Sequence, residues 1–231
     1  PALRGLARAL ALAAALVTAA AHPAAAVTLI RDSEIEATLD RLADPLFEAA
    51  GLGADRVDIL IVRDRAPNAF VFDGKHVVVT TGLLRRFPEP AQLQGVIAHE
   101  AGHIVGGHLA RRAIAMREAR GPAMIGLILG IAAAAAAGNA GAGAAVAAGS
   151  QSAVMRGLLT NSRAEEASAD QAALTYLERA GVDPGGLLSV METFRGQEVF
   201  SARNQDPYLR THPMGTDRLA MVQRRSEGSP H

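Results

Sequence analysis

Five residues, His99-Glu100-Ala101-Gly102-His103, constrain this 231-residue chain more than any others. They sit inside a helical pattern: Pro90 suits a first turn, and Leu93, Val96, Ile97 and Ile104 recur at helical spacing around them. Four residues advance a helix by about 400°, so the two imidazoles lie one turn apart on one face and can reach a single ion. Glu100 projects roughly 100° away, too far round to be a third ligand but able to reach a water held on that ion. It also falls in line with the apolar stripe, where an unpaired carboxylate would be costly. A solvated helix face does not account for that placement. The pattern specifies a helix that binds one zinc ion through His99 and His103, with Glu100 as general base.

Composition narrows the remaining ligands. The chain has no cysteine, which excludes a disulfide framework and a thiolate metal site, so any further ligand is a histidine or a carboxylate. Lys+Arg and Asp+Glu balance at 23 each, which gives no bulk attraction to nucleic acid, and no nucleic-acid partner is expected. Hydrophobic residues make up 49%, too many for a disordered chain.

Residues 1–26 read as a secretory signal peptide: Arg4 and Arg8, an apolar run from Ala9 to Ala20, a break at His22-Pro23, and an A-x-A cleavage site at Ala24-Ala25-Ala26. The remainder, 27–231, is expected to be a single domain. A helix is predicted from Asp32 to Ala50, capped by Asp32 or Ser33, kinked or split by Pro45 and ended by Gly51. Val57–Val62 is a strand, and Ala69–Phe72 and His76–Thr80 form a hairpin about a two-residue Asp73-Gly74 turn. The next helix is predicted from Pro90 to about Arg120, another from about Ser162 to Ala180, and a further one after Asp183-Pro184. Gly121–Met155 carries no charge and is rich in Ala and Gly. It reads as an insertion between the two zinc-binding helices, a close-packed helical pair or a mobile lid, with peripheral membrane contact as a further use.

A zinc hydrolase needs a third protein ligand and an open position. One class places a histidine ten residues after the first, but that position is Leu109; His108 misses by one residue and, on a continuous helix, faces the wrong side, as a surface or packing histidine. The other class takes a glutamate from a later helix, and periodicity leaves Glu165 and Glu166 both open. Glu166 and Asp170 share a face, which would put a ligand beside a carboxylate able to orient a zinc histidine.

The order of Asn68-Ala69-Phe70, Thr80-Thr81-Gly82-Leu83-Leu84, H-E-x-x-H, Ser162-Arg163-Ala164-Glu165-Glu166-Ala167-Ser168-Ala169-Asp170 and Thr211-His212-Pro213 with Arg218 resembles the family forty-eight metallopeptidases, the group of HtpX and the CAAX prenyl protease. The likeness covers about residues 31–225. It implies an α+β, mainly helical, zincin-like fold of the gluzincin type with a small sheet or hairpin, one Zn2+ per subunit, and Glu166 as the third ligand. It further implies metalloendopeptidase activity. In zincin folds an edge strand pairs with extended substrate; the candidate is Asn68–Phe72, with Asn68, Ala69 and Phe70, or its hairpin partner, and the alternative is ordinary sheet. Lacking clear membrane spans, the chain is most similar to the soluble periplasmic BepA type, whose tetratricopeptide domain is expected to be absent. That likeness implies a periplasmic location, with inner-membrane association as a variant, and misfolded or misassembled envelope and outer-membrane proteins as substrates. His212 has three readings: stabiliser of the oxyanion, occupant of the open zinc position in a latent state, or a turn histidine before Pro213. Arg218 is a candidate partner for an acidic group. The competing functions are a membrane-embedded HtpX-like protease that uses Gly121–Met155 as a hairpin, and a zinc-binding chaperone with little proteolysis.

Overall fold

The computed structural model describes residues 28–53, 57–137, 139–200 and 204–229; the expected signal peptide lies outside them. The fold is α+β and mainly helical. Four strands, β1 (Leu29–Ile30), β2 (Asp58–Val62), β3 (Ala69–Val71) and β4 (His76–Thr80), form one mixed sheet in the order β1-β2-β4-β3. β2 and β4 pair in parallel, while β1 and β3 lie antiparallel at the two edges. The Asp73-Gly74 signal marks a real turn but a longer one than expected. Phe72 N–H donates to the His76 carbonyl across three residues, and the Asp73 carboxylate accepts from the Lys75 and His76 amides.

Helix α1 (Ser33–Ala49) begins at Asp32, whose side chain accepts from the Glu34 and Ile35 amides. Pro45, expected to kink or split it, leaves one unbroken helix. Pro45 and Arg41 are both exposed, so the Arg41 carbonyl that loses its partner faces water. The short α2 (Thr81–Arg86) is capped by Thr80, whose hydroxyl also accepts from the Asn68 amide and donates to Ala66. That one hydroxyl ties the start of edge strand β3 to the interior.

The helix predicted to run from Pro90 to Arg120 is two helices, α3 (Pro90–Val105) and α4 (His108–Ala137), divided at Gly106-Gly107. The predicted Ser162–Ala180 helix is the second half of α5 (Ala140–Ala180). Gly121–Met155 therefore forms the distal part of an α4–α5 helical hairpin. Its two arms touch where Gly126 leaves no room for a Cβ against Ser150. Helix α6 (Gly185–Thr193), the five-residue α7 (Pro207–Thr211) and α8 (Thr216–Glu227) complete the chain.

Helix α3 is the axis of the core. Every residue from Gly95 to Gly102 is buried, including His99 and Glu100. Val96, Ile97, Ala98 and Ala101 pack with Leu46 and Phe47 of α1, Ile61 and Val79 of the sheet, Leu174 and Leu177 of α5, and Leu187 of α6. Gly102 sets the crossing of α3 and α5. A Cβ there would lie 2.8 Å from the Ala169 carbonyl oxygen, so only glycine lets the two backbones meet at this separation. Ala169 is three residues after Glu166, so the same contact delivers Glu166 to the face that carries His99 and His103.

Replacing Gly102 with Ala should force the helices apart at a cost of about 1–3 kcal/mol, the usual penalty for overpacking. For a chain of this size that is a Tm lower by about 2–12 °C in thermal unfolding. A Tm equal to wild type would show that the crossing tolerates a methyl group.

Candidate metal centre and its cleft

The α3–α5 crossing gathers four donors into a buried cluster. One ligand atom each from His99, His103, Glu166 and His212 lies within 4.8 Å of all the others. His99 Nε2 is 3.0 Å from His103 Nε2 and 3.3 Å from Glu166 Oε2; His103 Nε2 is 3.5 Å from Glu166 Oε1. His212 Nδ1 lies 3.2 Å from His99 Nε2 and 3.2 Å from Glu166 Oε2. Tetrahedral zinc with bonds of about 2.0–2.1 Å would separate its donors by about 3.3 Å. The spacing therefore fits such an ion. So does the chemistry: Glu166 Oε1 is buried with no hydrogen-bond partner among the described residues, a costly state for a carboxylate oxygen unless a cation faces it.

Glu100 lies outside this donor set but beside it. Both of its oxygens are buried without a hydrogen bond, and His212 Nε2 approaches Oε1 at 3.4 Å. Glu165, the other carboxylate that periodicity left open, turns outward and lies 3.7 Å from Arg111 Nε.

The groups behind the donors set their charge. Asp170 Oδ1 is 2.9 Å from His99 Nδ1, and Asp170 is gripped by Arg218, whose Nε and Nη2 donate to its two oxygens at 2.6 and 2.8 Å. Arg218 Nη1 donates to the Pro213 carbonyl at 2.8 Å and lies 3.2 Å from Glu166 Oε2. Burial alone would push Asp170 up, but the Arg218 and His99 bonds outweigh it and hold the carboxyl below its ordinary range. Glu166 follows the same logic: burial opposes ionisation, and His212, His103 and His99 together hold it well below the carboxylate range. Burial likewise opposes charge on His99, but Asp170 and Glu166 raise it to about 10. His103 is held low by burial despite Glu166. His108 is pushed down to about 4, by burial first and then by His103 and Arg111, so it is neutral.

The late His-Pro element closes over the cluster. α7 ends at His212, whose amide donates to the Tyr208 carbonyl, and Tyr208 stacks on Phe194. Its anchors are on β3: His212 Nε2 is 3.0 Å from the Ala69 carbonyl oxygen, and the Thr211 hydroxyl donates to Asn68 Oδ1 at 3.0 Å. β3 is an edge strand, a position that the sequence does not reveal. With Phe72 and Asn68 bonded to β4, Ala69 and Val71 turn their backbone groups outward. A cavity of about 220 Å³ lies between this edge and the cluster, lined by Phe70, Val71, Glu100, His103, Glu166 and His212. A larger groove of about 700 Å³ adjoins it past Arg112, Glu165 and Thr211 and runs between α4 and α5.

The candidate residues His99, Glu100, His103, Glu166, Asp170 and His212 thus converge, and Arg218 finds its acidic partner in Asp170. His108, read as a surface or packing histidine on the wrong side of the helix, is a packing histidine but faces His103. It is buried, with Nδ1 2.8 Å from His103 Nδ1. The signal that finds it is the Gly106-Gly107 pair, which breaks the helix on which its orientation was reckoned.

The profile of Peptidase family M48 matches residues 29–226. A putative beta-barrel assembly-enhancing protease of Vibrio cholerae is 31% identical over 87% of this chain and 41% of its own length. The beta-barrel assembly-enhancing protease of Escherichia coli K12 is 28% identical over 86% of this chain and 40% of its own. A mitochondrial metalloendopeptidase of Arabidopsis thaliana is 32% identical over 71% of this chain and 30% of its own. The chain thus spans about two fifths of the two bacterial proteins.

Asp170→Ala should leave Arg218 buried with half its charge partners gone and cost about 3–5 kcal/mol. Adding Arg218→Met should recover part of that loss, so the double variant is more stable than the sum of the single changes predicts. Denaturant unfolding of the four proteins measures the coupling; strict additivity would show that the two groups do not support each other.

Proposed function

From the premise that the chain belongs to peptidase family M48, we propose that it is a zinc-dependent endopeptidase acting on exported, misfolded or misassembled envelope proteins. The observation that carries the reading is the convergence of the His99, His103 and Glu166 donors at 3.0–3.5 Å, with the unpartnered Glu100 carboxylate beside them. His99 and His103 would hold zinc through Nε2 and Glu166 through its carboxylate; the ion would displace the proton that Asp170 and Glu166 otherwise favour on His99, giving two neutral ligands and one negative one. The bound ion supplies a Lewis acid that lowers the pKa of water and polarises the scissile carbonyl. Glu100 takes the proton of the attacking water and delivers it to the leaving amine. Its buried oxygens, with no hydrogen bond to hold them, are free to do both. An extended substrate would add to the outer edge of β3 through the backbone groups of Ala69 and Val71, beside Asn68 and Phe70.

His212 is read as a latency device. Its Nδ1 stands at the fourth corner of the donor set, where a catalytic zinc site needs an open position, and its Nε2 engages the outward carbonyl of Ala69. One side chain therefore blocks both the metal and the strand. Release of the Thr211–His212 segment would free the two together. The closed geometry also favours the second reading, a zinc-binding chaperone with little proteolysis.

Envelope substrates and a periplasmic location are supported by the two bacterial relatives, which are named for enhancing β-barrel assembly. Peripheral membrane association has its support in the α4–α5 hairpin. Met124, Ile125, Ile128 and Leu129 are exposed there, and Arg117, Arg120 and Arg156 flank the uncharged stretch. Among the described residues, no helix is long and apolar enough to cross a membrane.

Wild type should contain zinc and degrade an unfolded outer-membrane protein, while Glu100→Gln should keep its zinc and lose cleavage by at least about a hundredfold. A fully active Glu100→Gln would overturn the assignment. His212→Ala should raise the cleavage rate by opening the site, whereas a fall in rate would assign His212 to the oxyanion instead.

A further inference from the structure

The two histidines of the H-E-x-x-H helix are held from behind by different chemistry. His99 Nδ1 faces the Asp170 carboxylate, whereas His103 Nδ1 faces the Nδ1 of another imidazole, His108, at 2.8 Å. Only one proton fits between two ring nitrogens. His103 presents Nε2 to the donor cluster, so its Nδ1 carries the proton and donates, and His108 Nδ1 accepts. We infer that His108 is a positioning residue for His103: it fixes the tautomer and ring angle that expose His103 Nε2 to the metal, and it does so without adding charge.

The backbone is built to deliver this ring. On a continuous helix His108 would lie about 140° round from His103. Instead the chain turns at Gly107, whose φ of +62° is a conformation that side chains disfavour, and α4 starts back over the end of α3. A Cβ on Gly106 would overlap the His108 ring at Nε2, so glycine makes the space in which the imidazole lies flat. The side chain of Arg111 donates to the Gly106 carbonyl and holds the turn closed. The two rings then meet edge to face, their centroids 4.8 Å apart.

The charge count gives the arrangement a consequence. A divalent ion with Glu100, Glu166, Asp170 and Arg218 sums to zero; a further carboxylate behind His103 would make the site net negative. A neutral acceptor orients the ligand and keeps the ion electrophilic.

The inference rests on the reading of His103 as a metal ligand, and the experiment separates the two. Zinc affinity of the full chain is measured by chelator competition, and the cobalt-substituted protein by its visible absorption, with circular dichroism of each metal-free variant as a folding check. His108→Asn puts Oδ1 where Nδ1 was, whereas His108→Phe keeps the ring and removes the acceptor. His108→Phe should bind zinc about 10–100-fold more weakly and shift the cobalt bands, and His108→Asn should restore both. Gly106→Ala, which displaces the imidazole without replacing it, should resemble His108→Phe. If the Phe variant does not fold, His108→Ala against His108→Asn makes the same comparison. Zinc affinity in His108→Phe or His108→Ala equal to wild type, or in His108→Asn no better than either, would overturn the positioning role. A wild type that binds no zinc would instead overturn the metal reading itself.

Discussion

Everything at this site depends on keeping like and unlike charges ordered inside a nearly dry core. Glu166 and Asp170 are both fully buried, and taking a carboxylate out of water costs several kcal/mol. Arg218 touches both: it grips Asp170 with two nitrogens and leans a third toward Glu166. The same guanidinium donates to the Pro213 carbonyl, which belongs to the segment carrying His212. A single buried arginine therefore links the helix that carries Glu166, the carboxylate behind His99, and the loop that covers the donor cluster. That explains why a residue so far along the chain from H-E-x-x-H belongs to the same chemistry.

The covering loop and the substrate edge are coupled by equally direct means. Thr211 and His212 bond to Asn68 and Ala69, and Asn68 is held from the other side by the Thr80 hydroxyl. The outward edge of β3 and the fourth corner of the donor set are thereby engaged by the same few atoms. Opening one without the other would strand the His212 Nε2–H in a low-dielectric cleft, a cost that favours the two moving as a unit.

Much of this was legible from residue order, and the exceptions share one cause. The spacing of His99, Glu100 and His103 requires only helical periodicity, so it reads correctly. Glu166 and Glu165 differ by one position on a helix and cannot be told apart until the face that meets α3 is known; the Gly102–Ala169 contact decides between them. His108 was misread because its orientation was reckoned along a helix that Gly106-Gly107 interrupts. Pro45 does not split its helix, since an exposed carbonyl loses little when its partner is missing. The uncharged stretch was read as a close-packed helical pair or a mobile lid; its described residues are helical and continue α4 and α5 rather than forming a separate unit.

By itself, the sequence determined which side chains are available for metal chemistry, because with no cysteine only imidazole and carboxylate remain, and helical spacing already pairs two of them. It also indicated β2, the β3–β4 hairpin and the helices that begin at Asp32 and Pro90, since local propensity and turn residues act over a few positions. Only the tertiary structure decided which carboxylate joins the cluster, that β3 is an edge, and that two histidines 113 residues apart, His99 and His212, bring their ring nitrogens within 3.2 Å. Those facts depend on where backbones cross and how near they approach. A missing Cβ at Gly102, Gly106 or Gly126 sets that distance, and periodicity along a single element carries no record of it.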